Sequence, residues 1–288
     1  MVETMHTRWL LDVPVSLEEP VSDWLMERGA SAVYREADPP FTVFAYFPPD
    51  LARPQLSELC AAFAGVALKA EETFADEDWL AKSREGFGSF DVGTRFYIRP
   101  LWDDAPAPAG RTPITVNPGL AFGTGGHETT RLCMGLLEEL SDSEGLGGPI
   151  LDIGAGTGIL SLAAHLLGGK DIAAFDIDPD CGPAMVEFIE MNAGILSNAT
   201  PFVHFVGTLD DPKVQGPYWG LLANILLETI QELLPRMAQV AAKGGWLVAS
   251  GILAARQDEA LVSLSLNGFR PVKVVQEGEW VAILARRV

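Results

Sequence analysis

A chain of 288 residues with 39 acidic and 20 basic side chains carries a formal charge of −19, which opposes close approach to nucleic acid phosphates and favours a basic partner. The same acidity serves solubility equally well, so charge alone names no partner. Hydrophobic residues at 48% against 20% charged exclude wholesale disorder, and the length points to two domains.

The chain opens without a basic cluster followed by an apolar run, and no apolar run approaches the roughly 20 residues needed to cross a bilayer. A cytoplasmic protein with no membrane segment is expected. Cys60, Cys133 and Cys181 are odd in number and lack Cys-x-x-Cys spacing. They read as reduced core residues rather than a disulfide framework or zinc ribbon.

In chain order, short apolar runs at 7–14 and 32–34 flank a helical pattern over 18–28 that ends at Gly29. A strand over 41–47 and a helix around 55–64 follow, separated by Pro48, Pro49 and Pro54. This is a small α/β sandwich over residues 1–72. Residues 73–88, with charges and Trp79 at helical spacing, form a candidate linker helix before a second domain over 89–288.

The second domain begins with an alternating run at 90–100, read as one strand, and a Pro/Ala-rich loop at 103–110. Apolar runs of strand length then occur at 149–153, 171–176, 202–206, 219–224 and 246–250. Helical patterns lie between them at 159–167, 183–192, 227–241 and 254–266. Such alternation predicts a doubly wound parallel sheet. A final pair at 269–276 and 280–286 predicts an antiparallel hairpin at the sheet edge, the feature that separates the Rossmann-like class I methyltransferase variant from other doubly wound folds.

Four stretches carry chemistry. Leu151-Asp152-Ile153-Gly154-Ala155-Gly156-Thr157-Gly158 closes the first core strand and opens a helix, and its glycines allow a sharp turn with close approach to a ligand. Ile159 stands where a dinucleotide fingerprint needs glycine, so no pyrophosphate is implied. Asp176, at the end of the next strand, is placed to accept a ribose diol, while Asp178 before Pro179 suits a helix cap.

Residues 117–130 are too rich in glycine for an ordinary connection and must fold over something. Their backbone NH groups, with the hydroxyls of Thr129 and Thr130, suit the carboxylate of an amino-acid-like ligand. His127 reads either as part of that site or as a hydrogen-bonded structural histidine. It lacks metal-ligand partners, since His6, His165 and His204 are distant and unpatterned, and no metal is proposed. Asn224 ends the fourth core strand, where it either holds a substrate amine or makes a strand-end turn.

With these motifs in view the sequence resembles the ribosomal protein L11 methyltransferase (PrmA) family over nearly its whole length. The shared stretches include Glu77-Asp78-Trp79, Ile98-Arg99-Pro100-Leu101-Trp102, Pro118 to Thr130, Asp152 to Gly158, Asp176-Ile177-Asp178-Pro179, Asn224-Ile225-Leu226, Ser250-Gly251-Ile252-Leu253 and Gly278-Glu279-Trp280. The resemblance implies S-adenosyl-L-methionine as cofactor. As acceptors it implies lysine ε-amines, and the N-terminal α-amine, of the basic large-subunit protein L11, the alternative being a related methyltransferase of another protein or a small amine. The −19 charge adds the expectation that the protein substrate is met free rather than assembled and that nucleic acid is not bound.

Thr130, Gly154, Asp176 and Asn224 become cofactor-contacting positions by the same resemblance. Gly156, Phe122 and His127 complete the expected set, and Asn224 is the expected catalytic residue. Departures are Asn117 where the family usually has Asp, and Gly126 and Glu128 around His127. Gly182-Pro183 suggests a later start for the helix after Asp178. The first 70 residues match least sharply, and in the family these select the protein substrate.

Overall fold

A computed structural model describes residues 5–14, 17–26, 28–35, 41–48, 53–75, 88–117, 125–196 and 202–288. The chain divides into two compact units, Met1–Phe87 and Gly88–Val288. Of the expected linker helix over 73–88, residues 73–75 end a strand instead, and residues 76–87, with Glu77-Asp78-Trp79, lie outside the described residues.

In the first unit, β1 (Met5–Val13) is the second strand from one edge of an antiparallel sheet ordered β2-β3-β1-β4. Here β2 is Ala32–Arg35, β3 Phe41–Phe47 and β4 Ala67–Ala75. Alternate β1 residues Trp9, Leu11 and Val13 are buried with Val21 and Leu25 of α1 (Glu18–Met26) and Leu59 of α2 (Leu56–Ala62). The sequence pattern does not mark β4, because Lys69, Glu71 and Glu72 obscure its alternation. Those charges are how an edge strand stays polar while serving its neighbour. Glu71 accepts from the buried Trp9 indole (3.0 Å), and Glu72 pairs with Arg8. Cys60 on α2 is exposed, contrary to its expected place in the core.

The second unit opens with a three-stranded sheet ordered β5-β6-β7, where β5 is Phe90–Val92, β6 Phe96–Pro100 and β7 Thr112–Val116. The run at 90–100, expected as one strand, is a hairpin. Its turn is set by the buried Glu138 of α3 (Glu128–Ser143), a helix the sequence pattern does not announce. The Glu138 carboxylate accepts from Thr94 N (2.8 Å), Thr94 Oγ1 (2.9 Å) and Arg95 N (3.0 Å). Gly93 turns with φ +53, and a Cβ there would lie 2.4 Å from Glu138 Oε1.

The remaining strands form a seven-stranded sheet ordered β10-β9-β8-β11-β12-β14-β13. They are β8 (Ile150–Ile153), β9 (Ile172–Asp176), β10 (Val203–Val206), β11 (Tyr218–Asn224), β12 (Ala241–Leu253), β13 (Phe269–Glu277) and β14 (Trp280–Arg287). The first five in this order are mutually parallel, while β14 is antiparallel to both β12 and β13. This is the expected doubly wound sheet with an antiparallel edge hairpin.

Four helices connect the strands: α4 (Ile159–Leu166), α5 (Cys181–Met191), α6 (Leu227–Val240) and α7 (Gln257–Leu266). Helix α5 starts at Cys181, not later. Pro183 falls in its first turn, where the missing N–H has no intrahelical partner in any case. Just beyond α5, buried Asn192 accepts from Thr115 N (2.8 Å) and donates to Thr115 O (2.8 Å), which binds β7 as a further strand would. Among the described residues no helix is long and apolar enough to cross a membrane.

Removing Glu138 strands two backbone donors and a hydroxyl in a site that is 5% exposed. Glu138→Ala should therefore cost about 3 kcal/mol of unfolding free energy in the second unit. Urea melts showing a loss below about 1 kcal/mol would contradict the role given to this carboxylate.

Candidate functional site

Strand β8 ends in a loop of alternating left-handed glycines, Gly154 (φ 71), Gly156 (φ 55) and Gly158 (φ 86), a conformation in which side chains are strained. The NH groups of Gly154 and Ala155 both donate to Phe175 O at 3.0 Å, tying the loop to β9. A Cβ on Gly154 would stand 2.4 Å from Ile225 Cγ2, so the turn after β11 closes directly on the loop.

Asp176 joins the two loops on the other flank. Its Oδ2 accepts from Gly156 N (2.9 Å) and its Oδ1 from Asp178 N (3.0 Å). A carboxylate oxygen has room for more than one donor, so both keep capacity for hydroxyls. Asp178 is not the helix cap expected of it. Its Oδ1 accepts from Asp180 N (2.9 Å), which shapes the turn, while Asp180 occupies the cap position of α5 with no side-chain bond.

Asn224 ends β11 beside Ser250 of β12. Its Nδ2 points to Thr130 Oγ1 at 3.4 Å, a long contact that leaves Oδ1 for another donor. Gly251 (φ +83) is required here, because a Cβ would lie 2.2 Å from Ile225 O. It also marks the register shift between β12 and β14, a bulge that lets the 224–226 turn approach.

Thr130 sits in the first turn of α3, 1% exposed. His127 is the N-cap of α3: its Nδ1 accepts from Thr129 N (3.3 Å) and lies 2.8 Å from Thr129 Oγ1. The ring also packs edge-on against Trp280, with centroids 5.1 Å apart. Of the two readings of this histidine, these contacts describe the structural one. Thr129, also 1% exposed, spends its hydroxyl on the cap. Gly125 packs against Ile159, where a Cβ would meet Cδ1 at 3.0 Å, so the glycine-rich segment reaches the start of α4.

Gly154, Gly156, Asp176, Asn224 and Thr130 are thus gathered at the carboxyl edge of the sheet. Phe122 falls outside the described residues. Three features carry no sequence signal strong enough to have been singled out. Ile177, directly after Asp176, is 73% exposed and Leu226 is 64% exposed, an apolar pair at a polar edge. In β8, Asp152 is 1% exposed and accepts from Ser161 Oγ (2.6 Å). Burial pushes its carboxyl up to about 6, the Asp176 charge adds to the rise, and the Ser161 hydrogen bonds oppose it.

Asn117 donates to Glu187 Oε1 (3.0 Å), which gives the departure from aspartate at this position a local reason, since two carboxylates would meet there. Cys133 and Cys181 are buried, and burial raises both thiols, Cys181 to about 12. Neither is a ready nucleophile. Among the described residues no group of three or more His, Cys, Asp or Glu is arranged to hold a metal ion.

Comparison with known proteins adds an independent line. The family model described as ribosomal protein L11 methyltransferase (PrmA) matches residues 11–288. The ribosomal protein L11 methyltransferase of Pelobacter propionicus is 33% identical, over 98% of this chain and 99% of that protein. That of Geotalea uraniireducens is 34% identical, over 96% and 97% respectively. A crystal structure of ribosomal protein L11 methylase from Lactobacillus delbrueckii subsp. bulgaricus superposes with a TM-score of 0.62 at 28% identity, covering 70% of this chain and all of that one.

The raised Asp152 carboxyl has a measurable consequence. Between the ordinary aspartate value and about 6 the folded protein holds a proton that the unfolded chain has lost, so stability falls as pH rises through that window and levels off above it. Asp152→Asn keeps an oxygen for Ser161 but cannot titrate. Between about pH 4 and pH 7 the wild type should lose roughly 2–3 kcal/mol more stability than the variant. Parallel pH profiles of the two proteins would contradict the assignment.

Proposed function

Because the chain belongs to the ribosomal protein L11 methyltransferase family, we propose that it transfers methyl groups from S-adenosylmethionine to lysine ε-amines of ribosomal protein L11, with the N-terminal α-amine as a further acceptor. The observation that carries this reading is the convergence of Gly156, Asp176, Thr130 and Asn224, from four separate stretches of sequence, on one sheet edge.

The donor set suits the cofactor. Asp176 retains acceptor capacity for a ribose diol, the left-handed glycines give the loop turns that side chains rarely adopt, and the exposed Ile177 offers apolar surface to an adenine. The first turn of α3 brings NH groups and a positive dipole end toward a carboxylate. S-adenosylmethionine supplies an already activated methyl on a sulfonium.

What the protein must do is hold a neutral amine in line with that methyl. Free lysine has a pKa near 10.4, so the site favours the amine by removing water and supplying acceptors. With Nδ2 of Asn224 directed at Thr130, Oδ1 accepts an N–H from the substrate and aims its lone pair.

Selection of the protein substrate falls to the first unit. The −19 chain attracts a basic partner and repels ribosomal RNA, which favours free L11 over the assembled subunit.

Two experiments test the reading. Asp176→Ala should weaken S-adenosylmethionine binding by about tenfold or more in calorimetry. Asn224→Ala should lower turnover more than cofactor affinity, because alignment matters chiefly in the transition state. Unchanged affinity in the first variant, or unchanged turnover in the second, contradicts the roles given.

Salt provides the other test. Methylation of free L11 should slow as the Debye length falls from about 30 Å at 0.01 M to about 8 Å at 0.15 M, while cofactor affinity changes much less. Preference for assembled subunits at moderate salt would overturn the proposed partner state.

A further inference from the structure

The first turn of α3, which carries Thr130, is gripped by one short turn near the far end of the chain. Arg131 donates to Glu277 Oε1 through both Nε (3.0 Å) and Nη2 (2.6 Å), and through Nη1 to the carbonyl of Gly126. His127, the cap of the same helix, packs against Trp280. Glu277 and Trp280 are the two residues flanking the Gly278-Glu279 turn between β13 and β14.

The same two elements are joined a second time. Lys273 of β13 pairs with Glu139 of α3 at 2.6 Å, two helical turns farther from the cap. Both of its side chains are about half exposed, at 44% and 53%, whereas Arg131 is 25% exposed. The two pairs fasten helix to strand alike and differ in what lies next to them. Arg131, directly after Thr130, holds the Gly126 carbonyl that precedes His127, and so links the residues leading into the helix to the hairpin. Glu139 touches neither.

We propose that the Arg131–Glu277 pair positions the α3 N-terminus and the adjoining Gly126-His127 backbone for S-adenosylmethionine, which makes Arg131 and Glu277 positioning residues for the reaction. The proposal rests on the cofactor reading above. The planar guanidinium suits the task, because its fork fixes direction as well as distance to two acceptors at once. A lysine in its place would keep charge and lose that geometry.

The test uses full-length Glu277→Ala, Glu277→Gln and Lys273→Ala proteins, with calorimetric S-adenosylmethionine affinity and thermal midpoint read for each. Glu277→Ala should weaken binding roughly three- to tenfold. Glu277→Gln, which keeps an acceptor for Arg131, should recover part of that loss. Lys273→Ala should shift the thermal midpoint to a similar extent and leave affinity within about twofold of wild type.

Wild-type affinity in both Glu277 variants overturns the proposal, as does an equal loss in Lys273→Ala, since the pair would then act through general packing. Should Glu277→Ala fail to fold, Glu277→Gln and Lys273→Ala still decide. The binding readout needs no methyl acceptor, so a wrong protein substrate leaves it intact. A wild type that does not bind the cofactor fails both readings together.

Discussion

Strands β8 and β11 lie side by side and run parallel, yet the chain leaves them in opposite directions. From β8 it passes through α4 to β9, and from β11 through α6 to β12. Such a switch point, at the carboxyl ends of the strands, is where open α/β sheets bind ligands. The glycine loop enters this crevice from one side and Asn224 from the other. Their closeness is steric fact: Gly154 and Gly251 each sit where a Cβ would collide with Ile225.

Helix α3 connects this edge to the rest of the second unit. Its buried polar residues each have a partner: Glu138 fixes the β5–β6 turn, Thr129 completes the cap, and Thr130 reaches Asn224. Buried polar groups are costly when unmatched and specific when matched, so the helix has one well-defined seat. The apolar face formed by Cys133, Met134, Leu136, Leu137 and Leu140 supplies burial, while the polar contacts set the register.

The parallel core was legible in the sequence because strands buried on both faces are short, nearly unbroken apolar runs, as at Ile150–Ile153 and Ile172–Asp176. The edge hairpin was legible from two apolar runs around Glu277 to Glu279. Strand β4 was not, since its charges serve Trp9 and Arg8 from positions that look like a loop. Helix α3 was hidden because it starts within a glycine-rich stretch and carries Gly135. Asp176 and Asn224 announced themselves as polar residues at strand ends. The raised carboxyl of Asp152 depends on burial, and the capping by His127 on a ring contact with Trp280, neither of which spacing can express.

Whether this edge methylates amines of ribosomal protein L11 is read by mass spectrometry of purified L11 after incubation with the full-length enzyme and S-adenosylmethionine. Mass increments of whole methyl groups are expected, mapped to lysine side chains and absent when Asn224→Ala replaces the wild type. An enzyme that binds the cofactor and leaves L11 unmodified, or that modifies it at residues other than amines, would contradict it.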